Sequence, residues 1–314
     1  MLTWLPMQVI GENHGDHQAA SVVATEAFDL AGDPAAYPEQ VSEPVERFES
    51  HLEGLRPWQP KKLYFMSDAL DTRFMTGHGP AYSVKEISKA KGVPYWQLAF
   101  EQLNAHVTQY KTMLAQLASL DAATRERVAV GDTGGDALIE PLRLLRAKSH
   151  VGGTAEGDIF EGITPAPIPL GPRPREQAAE PALALRVGGP WQFYRDFWQA
   201  HALPALTMSA DALIGPVDQD EPVSIPLLVI NGTDRDAEVQ VGAALPQGWH
   251  EGPRSATVLV AAGAQAQIAS VVTPADADQT PTAHDLTYTA RAGGAALPPV
   301  SVRVVVVKGA SPLP

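Results

Sequence analysis

The last third of the chain alternates short strand-like runs with turn residues, and this pattern limits its fold more than any other feature. Six runs are rich in β-branched residues: 223–231, 237–245, 256–262, 265–273, 284–292 and 300–307. Turn formers stand between them: Asn231-Gly232, Pro246, Gly248, Gly263, Pro274 and Gly293-Gly294. Runs of this length separated by such turns are typical of antiparallel sandwiches. Residues 217–314 are therefore predicted to form an all-β, immunoglobulin-like sandwich.

The first half of the chain has a different pattern, in which helical and strand-like segments alternate. Apolar residues recur at helical spacing over His17–Ala31 and over Val93–Leu120, and the run Lys62–Ser67 is strand-like. Such alternation predicts an α/β domain over residues 1–162. Residues 163–216 contain a proline-rich stretch and a dense aromatic run, and we expect a connector whose aromatic helix packs in a core.

Charge and composition exclude several classes of function. The net charge is −13 with histidine neutral, and neutralising phosphates requires a basic face, so no nucleic-acid role is expected. The chain has no cysteine, which excludes disulfides, thiolate metal sites and a cysteine nucleophile. No apolar stretch reaches the roughly 20 residues that span a bilayer, so no membrane span is predicted. The apolar start, Met1–Ile10, lacks the basic region and cleavage site of a signal peptide.

The segment with the most chemical content is the loop GENHGDHQAAS, which begins at Gly11. It brings His14, Asp16 and His17 together at the start of a predicted helix. Imidazole is a common zinc ligand, a nearby carboxylate can orient it, and a second histidine can stabilise an oxyanion or donate a proton. The other interpretation is a solvated loop in which Asp16 caps the helix, and the spacing by itself favours this second interpretation.

Four stretches of the first half resemble the middle of LmbE/PIG-L zinc-dependent de-N-acetylases. They are HGDHQAAS, AFDLAGDP, YPEQ and LRPWQPKKLYF. The resemblance implies a Rossmann-type three-layer α/β fold and a Zn²⁺ cofactor, with His17 as a zinc ligand. It also implies that His14 stabilises the oxyanion or acts as the acid, and that Asp16 orients a histidine. The implied substrates are N-acetylated amino sugars or related glycan-type amides.

One half of that family's active site is missing from this sequence. The family has a His-Pro-Asp-Asp-like motif that supplies two zinc ligands and the general base, whereas this chain contains no His-Pro and no Asp-Asp. Catalytic zinc normally takes three protein ligands and a water. We therefore expect a deacetylase fragment that is inactive unless a missing N-terminal half is supplied. Two alternatives stay open: a non-catalytic glycan-binding or scaffold protein, and an unrelated metal hydrolase that uses His14 and His17.

The predicted sandwich resembles the bacterial β-sandwich domains called NEW3. The resemblance rests on Ile230-Asn231, on the run LPQGW at Leu245–Trp249, and on a strand that ends at Thr273-Pro274. It implies a module appended to glycan-active enzymes, and intact relatives are expected to be exported or periplasmic. We expect Trp249 to fill the core of the sandwich, with stacking on a sugar as its alternative role.

Overall fold

A computed structural model gives the fold of the chain in two compact units, which are described separately. The residues that the structure describes are 1–7, 15–41, 55–67, 72–103, 105, 115, 118–119, 121–129, 140–172, 182–206, 212–253, 257–275 and 282–309. Unit 1 comprises Met1–Pro6 and Gly11–Arg173, and unit 2 comprises Met7–Ile10 and Pro174–Pro314.

Unit 1 is built on a small mixed sheet. The strands of unit 1 are β1 (Leu2–Trp4), β2 (Lys62–Met66), β3 (Ala81–Tyr82), β4 (Leu142–Arg143) and β5 (Leu145–Ser149). The central strand β2 runs parallel to β1 and antiparallel to β5, while β3 and β4 form a separate antiparallel pair. The helices of this unit are α1 (Gly15–Leu30), α2 (Pro38–Val41), α3 (Tyr95–Leu103) and α4 (Ala122–Ala129), with a 3-10 helix at Arg73–Met75.

Helix α1 packs beside β1 and β2. It buries Ser21, Thr25 and Phe28, which follow one another at intervals of about one turn. The two hydroxyls bond within the helix: Ser21 Oγ donates to the carbonyl of Gln18 at 2.6 Å, and Thr25 Oγ1 donates to the carbonyl of Ser21 at 2.8 Å. Because their polar groups are satisfied locally, both residues can share the buried face with Phe28.

The chain as described is mostly β-sheet with few helices. The predicted helix at His17–Ala31 and the predicted strand at Lys62–Ser67 are present as α1 and β2. A Rossmann-type domain has a doubly wound, mostly parallel sheet. Among the described residues, the main sheet of unit 1 has three strands and one parallel pair. The finer expectation of a Rossmann-type three-layer domain therefore has no support in the described part of the chain.

Unit 2 is built from two sheets. Its strands are β6 (Leu183–Val187), β7 (Ala212–Val217), β8 (Val223–Asn231), β9 (Ala237–Ala244), β10 (His250–Glu251), β11 (Thr257–Val260), β12 (Gln265–Thr273), β13 (Thr282–Ala292), β14 (Ala295–Ala296) and β15 (Val300–Val306). One sheet has the order β10-β12-β8-β6, and the other has the order β11-β9-β13-β15-β7, with β14 paired to β13. Of the described pairings within unit 2, only that of β15 with β7 is parallel.

The longer strands of unit 2 place alternate side chains in an apolar core, as the period of two predicts. On β8, Ile225, Leu227 and Val229 are fully buried. Leu286 on β13 and Val302 on β15 are likewise inaccessible to solvent. The predicted all-β sandwich is confirmed at this level of description.

Part of the expected connector contributes to unit 2. Strand β6 and all but the last residue of β7 lie before residue 217, and the two strands pair with β8 and β15 respectively. Between them lie helix α5 (Pro190–Ala200), which begins with a proline at its first turn, and a 3-10 helix at Pro204–Leu206. As expected for an aromatic helix that packs in a core, α5 buries three rings: Trp191, Tyr194 and Phe197. The domain limits at residues 162 and 216 stay predictions.

No helix in the described part of the chain is both long enough and apolar enough to cross a membrane.

Candidate functional site

The structure places the loop residues predicted for metal chemistry as follows. His14 lies outside the described residues. Asp16 is exposed in the first turn of α1, and His17 is half-buried, with its ring stacked on Trp4 at 4.0 Å between centroids. Among the described residues, no three His, Asp or Glu side chains form a group that could hold a metal ion. The roles of His14, Asp16 and His17 stay predictions.

A cleft of about 520 Å³ opens on unit 1 beside the central strand of its sheet. Ten residues line it: Met1, Leu2, Trp58, Lys61, Lys62, Tyr64, Leu144, Ile159, Phe160 and Ile163. Most of these side chains are apolar, and the three others, two lysines and a tyrosine, can donate hydrogen bonds. A concave, mostly apolar surface with a few polar groups is the usual form of a small-ligand site.

Strand β2 buries both of its faces, and this places two polar side chains at the cleft. Leu63 and Phe65 occupy one face and are fully buried. Lys62 and Tyr64 alternate with them on the opposite face, where each is only 4% exposed, and both line the cleft. The floor of the cleft therefore carries an ammonium and a phenol side by side, with the ammonium 5.9 Å from the centroid of the phenol ring.

The backbone that carries Phe160 is fixed by hydrogen bonds from both sides. Lys62 Nζ donates to the carbonyl of Glu161 at 2.5 Å and to the carbonyl of Ile159 at 3.3 Å. The Ile159 N–H donates to the hydroxyl oxygen of Tyr82 at 3.1 Å. These bonds hold Phe160 at the cleft without using its side chain, so its ring stays available for contact.

Two large aromatic side chains stand exposed at this cleft. Trp58 is 65% exposed and Phe160 is 73% exposed, and Leu2 and Ile163 beside them are also exposed. A contiguous apolar surface open to water in this way usually marks an interaction site. An aromatic face can receive an apolar or C–H surface of a ligand while the ring edge stays in contact with water.

The hydroxyl of Tyr64 has no hydrogen-bond partner among the described residues, although it is buried. Burial raises the pKa of Tyr64, and the Arg146 guanidinium opposes that rise. The phenol is therefore protonated at neutral pH and acts as a hydrogen-bond donor. A buried polar group without a partner is unfavourable, so a ligand acceptor at this position would recover the missing interaction.

Sequence reasoning did not select these cleft residues, although four of them belong to one stretch that it quoted. Trp58, Lys61, Lys62 and Tyr64 all lie within LRPWQPKKLYF. The available signal was a lysine at the start of an otherwise apolar strand, because lysine is almost never fully buried unless it has a partner.

Comparison with known proteins gives no family for this chain. No family model matches it, and no curated protein matches it. Among solved structures, native Escherichia coli alpha-2-macroglobulin matches 30% of this chain and 6% of its own, at 14% identity and a TM-score of 0.25. PapD-like domain 7 of human CEP192 matches 43% of this chain and 93% of its own, at 7% identity and a TM-score of 0.26. A family 123 glycoside hydrolase from Clostridium perfringens matches 42% of this chain and 28% of its own, at 11% identity and a TM-score of 0.28.

These findings correct the family assignment made from sequence. The structural matches are mostly β-sandwich domains, and no LmbE/PIG-L deacetylase is found among them. Because no family model matches, the assignment of the C-terminal part to NEW3 domains falls as well. Short stretches such as HGDHQAAS resembled the deacetylases by local composition, and resemblance over so few residues does not identify a family.

Proposed function

We propose that this chain is a non-catalytic carbohydrate-binding protein whose cleft on unit 1 takes a glycan-type small ligand. One observation carries the proposal: Trp58 and Phe160 stand exposed at a cleft whose floor holds hydrogen-bond donors. A sugar ring offers an apolar C–H face and polar edges. It can therefore pack on an aromatic ring with one surface and accept hydrogen bonds with its oxygens.

Binding is favoured over hydrolysis because the described residues do not fit a zinc site. A catalytic zinc takes three protein ligands, and among the described residues no three His, Asp or Glu side chains form a group that could hold a metal ion. His17 is in addition stacked on Trp4. Zinc-dependent hydrolysis of an amide stays a prediction of the sequence.

The test is calorimetric titration of the full chain with a panel of neutral and acidic oligosaccharides. We expect at least one to bind, and Trp58→Ala to weaken that binding about 10-fold or more, because aromatic anchors dominate binding energy. Tyr37→Ala is the matched control, since Tyr37 is an exposed aromatic residue of unit 1 that does not line the cleft.

Two results would contradict the proposal. If no saccharide on the panel binds, the cleft does not serve carbohydrate recognition, and a scaffold role becomes the better interpretation. If a saccharide binds but Trp58→Ala changes its affinity no more than Tyr37→Ala does, binding occurs elsewhere on the chain.

A further inference from the structure

The Lys62 ammonium is a buried charge that forms no ion pair with any residue in the described part of the chain. The side chain is only 4% exposed, and its hydrogen-bond acceptors among the described residues are the neutral carbonyls of Ile159 and Glu161. Burying a charge is strongly unfavourable unless it is paired. A lysine ammonium has three N–H donors, and the two carbonyls account for two of them.

Tyr64 adds a second unsatisfied donor next to this charge. It follows Lys62 by two residues on β2, and its hydroxyl has no partner among the described residues. A third donor group is Lys61, which also lines the cleft and donates to the carbonyl of Thr164. All the ionisable side chains that line the cleft carry either a positive charge or a neutral hydroxyl.

We propose that the floor of the cleft binds a carboxylate, so that the preferred ligand is an acidic, uronate-type saccharide. The carboxylate would offset the uncompensated charge of Lys62 and accept a hydrogen bond from Tyr64, while the sugar ring packs against Trp58. This inference rests on the proposed function and names the chemical class of its ligand. Hydrogen bonds between ionised groups and donors are the stronger ones, which favours an acid over a neutral sugar.

Two described carboxylates, those of Asp158 and Glu161, act electrostatically on Tyr64 but have partners of their own. Asp158 accepts a hydrogen bond from the hydroxyl of Tyr82 at 3.0 Å, and Glu161 Oε2 accepts one from the backbone N–H of Thr154 at 3.1 Å. Neither carboxylate lines the cleft. Neither carboxylate accepts a hydrogen bond from the Tyr64 hydroxyl, which is without a partner among the described residues. Their negative charges oppose a ligand carboxylate, and the ammonium groups of Lys61 and Lys62 at the cleft favour it.

The experiment compares one saccharide with and without its charge. The full chain is titrated with trigalacturonic acid and with the methyl ester of the same trisaccharide. We expect the acid to bind at least about 10-fold more tightly, because the ester keeps the ring but loses the charge. Raising the salt from about 0.02 M to about 0.5 M should weaken the binding of the acid and leave the binding of the ester unchanged, since salt screens charge–charge attraction.

Variants separate this inference from the proposed function. Tyr64→Phe keeps the aromatic ring but removes the hydroxyl, and it should lower the affinity for the acid about 10-fold. Tyr37→Phe is the matched control. Lys62→Met should abolish the preference for the acid, and Tyr64→Phe decides the matter if Lys62→Met does not fold. Trp58→Ala should weaken the binding of the acid and of the ester to the same extent.

Three outcomes would overturn the idea in different ways. Equal binding of acid and ester, with both sensitive to Trp58→Ala, refutes the carboxylate site and leaves carbohydrate binding in place. If the acid binds preferentially but Tyr64→Phe does not change its affinity, the proposed carboxylate site at the floor of the cleft is also refuted. Absence of binding by both saccharides, together with a failed saccharide panel, refutes the proposed function itself.

Discussion

Asn231, at the end of β8, is expected to be the polar residue on which the stability of unit 2 depends most. Its side chain is fully buried. The two hydrogens on Nδ2 are shared among the carbonyls of Arg235, Val260 and Ala261, which lie at 2.7, 3.0 and 3.1 Å. Oδ1 accepts from the N–H and from the hydroxyl of Thr233, at 3.1 and 2.6 Å. One amide therefore ties β8, the turn that follows it, and the end of β11 together.

The cost of Asn231→Ala follows from these partners. Each satisfied amide hydrogen contributes about 1 kcal/mol net, and a buried group left without its partner costs about 1–3 kcal/mol. The carbonyl of Arg235 keeps the hydroxyl of Thr233 as a donor, so its loss is partly compensated. The Thr233 bonds lie nearer the surface and contribute less. We therefore expect unit 2 to lose about 2–4 kcal/mol of unfolding free energy.

Hydrogen exchange followed by mass spectrometry can measure this change in unfolding free energy for unit 2 separately from unit 1. The slowest-exchanging amides of β8 and β13 give the free energy of global opening. Thr233→Ala is the graded control, because it removes only the hydroxyl and should cost less than about 1 kcal/mol. Asn231→Asp keeps an acceptor for Thr233 but removes the donors, so it should cost at least as much as Asn231→Ala. A loss below about 1 kcal/mol for Asn231→Ala would refute the reasoning.

Two further predictions concern a surface ion pair and zinc. Arg303 donates to both carboxylate oxygens of Asp285, at 2.7 and 2.9 Å, and these bonds hold the pKa of Asp285 below its usual value. A carboxyl with a lowered folded-state pKa adds stability above its unfolded pKa and loses it as the pH falls through the folded value. Asp285→Asn should therefore cost under about 1 kcal/mol near neutral pH, since the pair is partly exposed, and the cost should shrink as the pH falls below the unfolded-state pKa of about 4, in urea titrations at each pH. The chain should retain well under one equivalent of zinc after dialysis, and His17→Ala should lower that further, because a tight site needs three ligands. Elemental analysis tests this, and stoichiometric zinc that survives His17→Ala would contradict the role of His17.

Local pattern was sufficient for much of unit 2. The predicted runs 223–231 and 265–273 have the limits of β8 and β12. The period of two is visible in β12, and β8 buries Ile225, Leu227 and Val229 on one side. Turn residues follow both strands, so neighbouring residues were enough to predict the strand limits. Trp249 is buried, which confirms its expected place in the core over the sugar-stacking alternative.

Other elements depended on context that local pattern does not contain. On α1 the apolar spacing includes Val23, which is exposed, whereas Ser21 and Thr25 are buried because their hydroxyls bond to the helix backbone. The strand β7 contains Gly215 and Pro216, which argue against a strand. It lies at the edge of its sheet, where a missing N–H is tolerated, and that edge position was not visible in the sequence.

The candidate cleft could not have been predicted from neighbouring residues, because its chemistry depends on long-range contacts. The carbonyls that bind Lys62 belong to residues 97 and 99 positions further along the chain. Without that segment, Lys62 would be an ordinary solvated lysine at the start of a strand. Folding converts it into a desolvated charge, and the same segment brings Phe160 to the cleft.

Net charge, which the sequence does give, does not decide what this cleft binds. The chain carries −13 and so repels anions at a distance, yet salt screens that repulsion beyond about 8 Å at physiological ionic strength. Inside the cleft the nearest charges are Lys61 and Lys62, and the attraction between close charges grows as water is excluded. At low salt the distant repulsion should slow the approach of an acidic saccharide, while the local lysines slow its release. An acidic ligand is therefore compatible with an acidic protein, because the two effects act at different ranges.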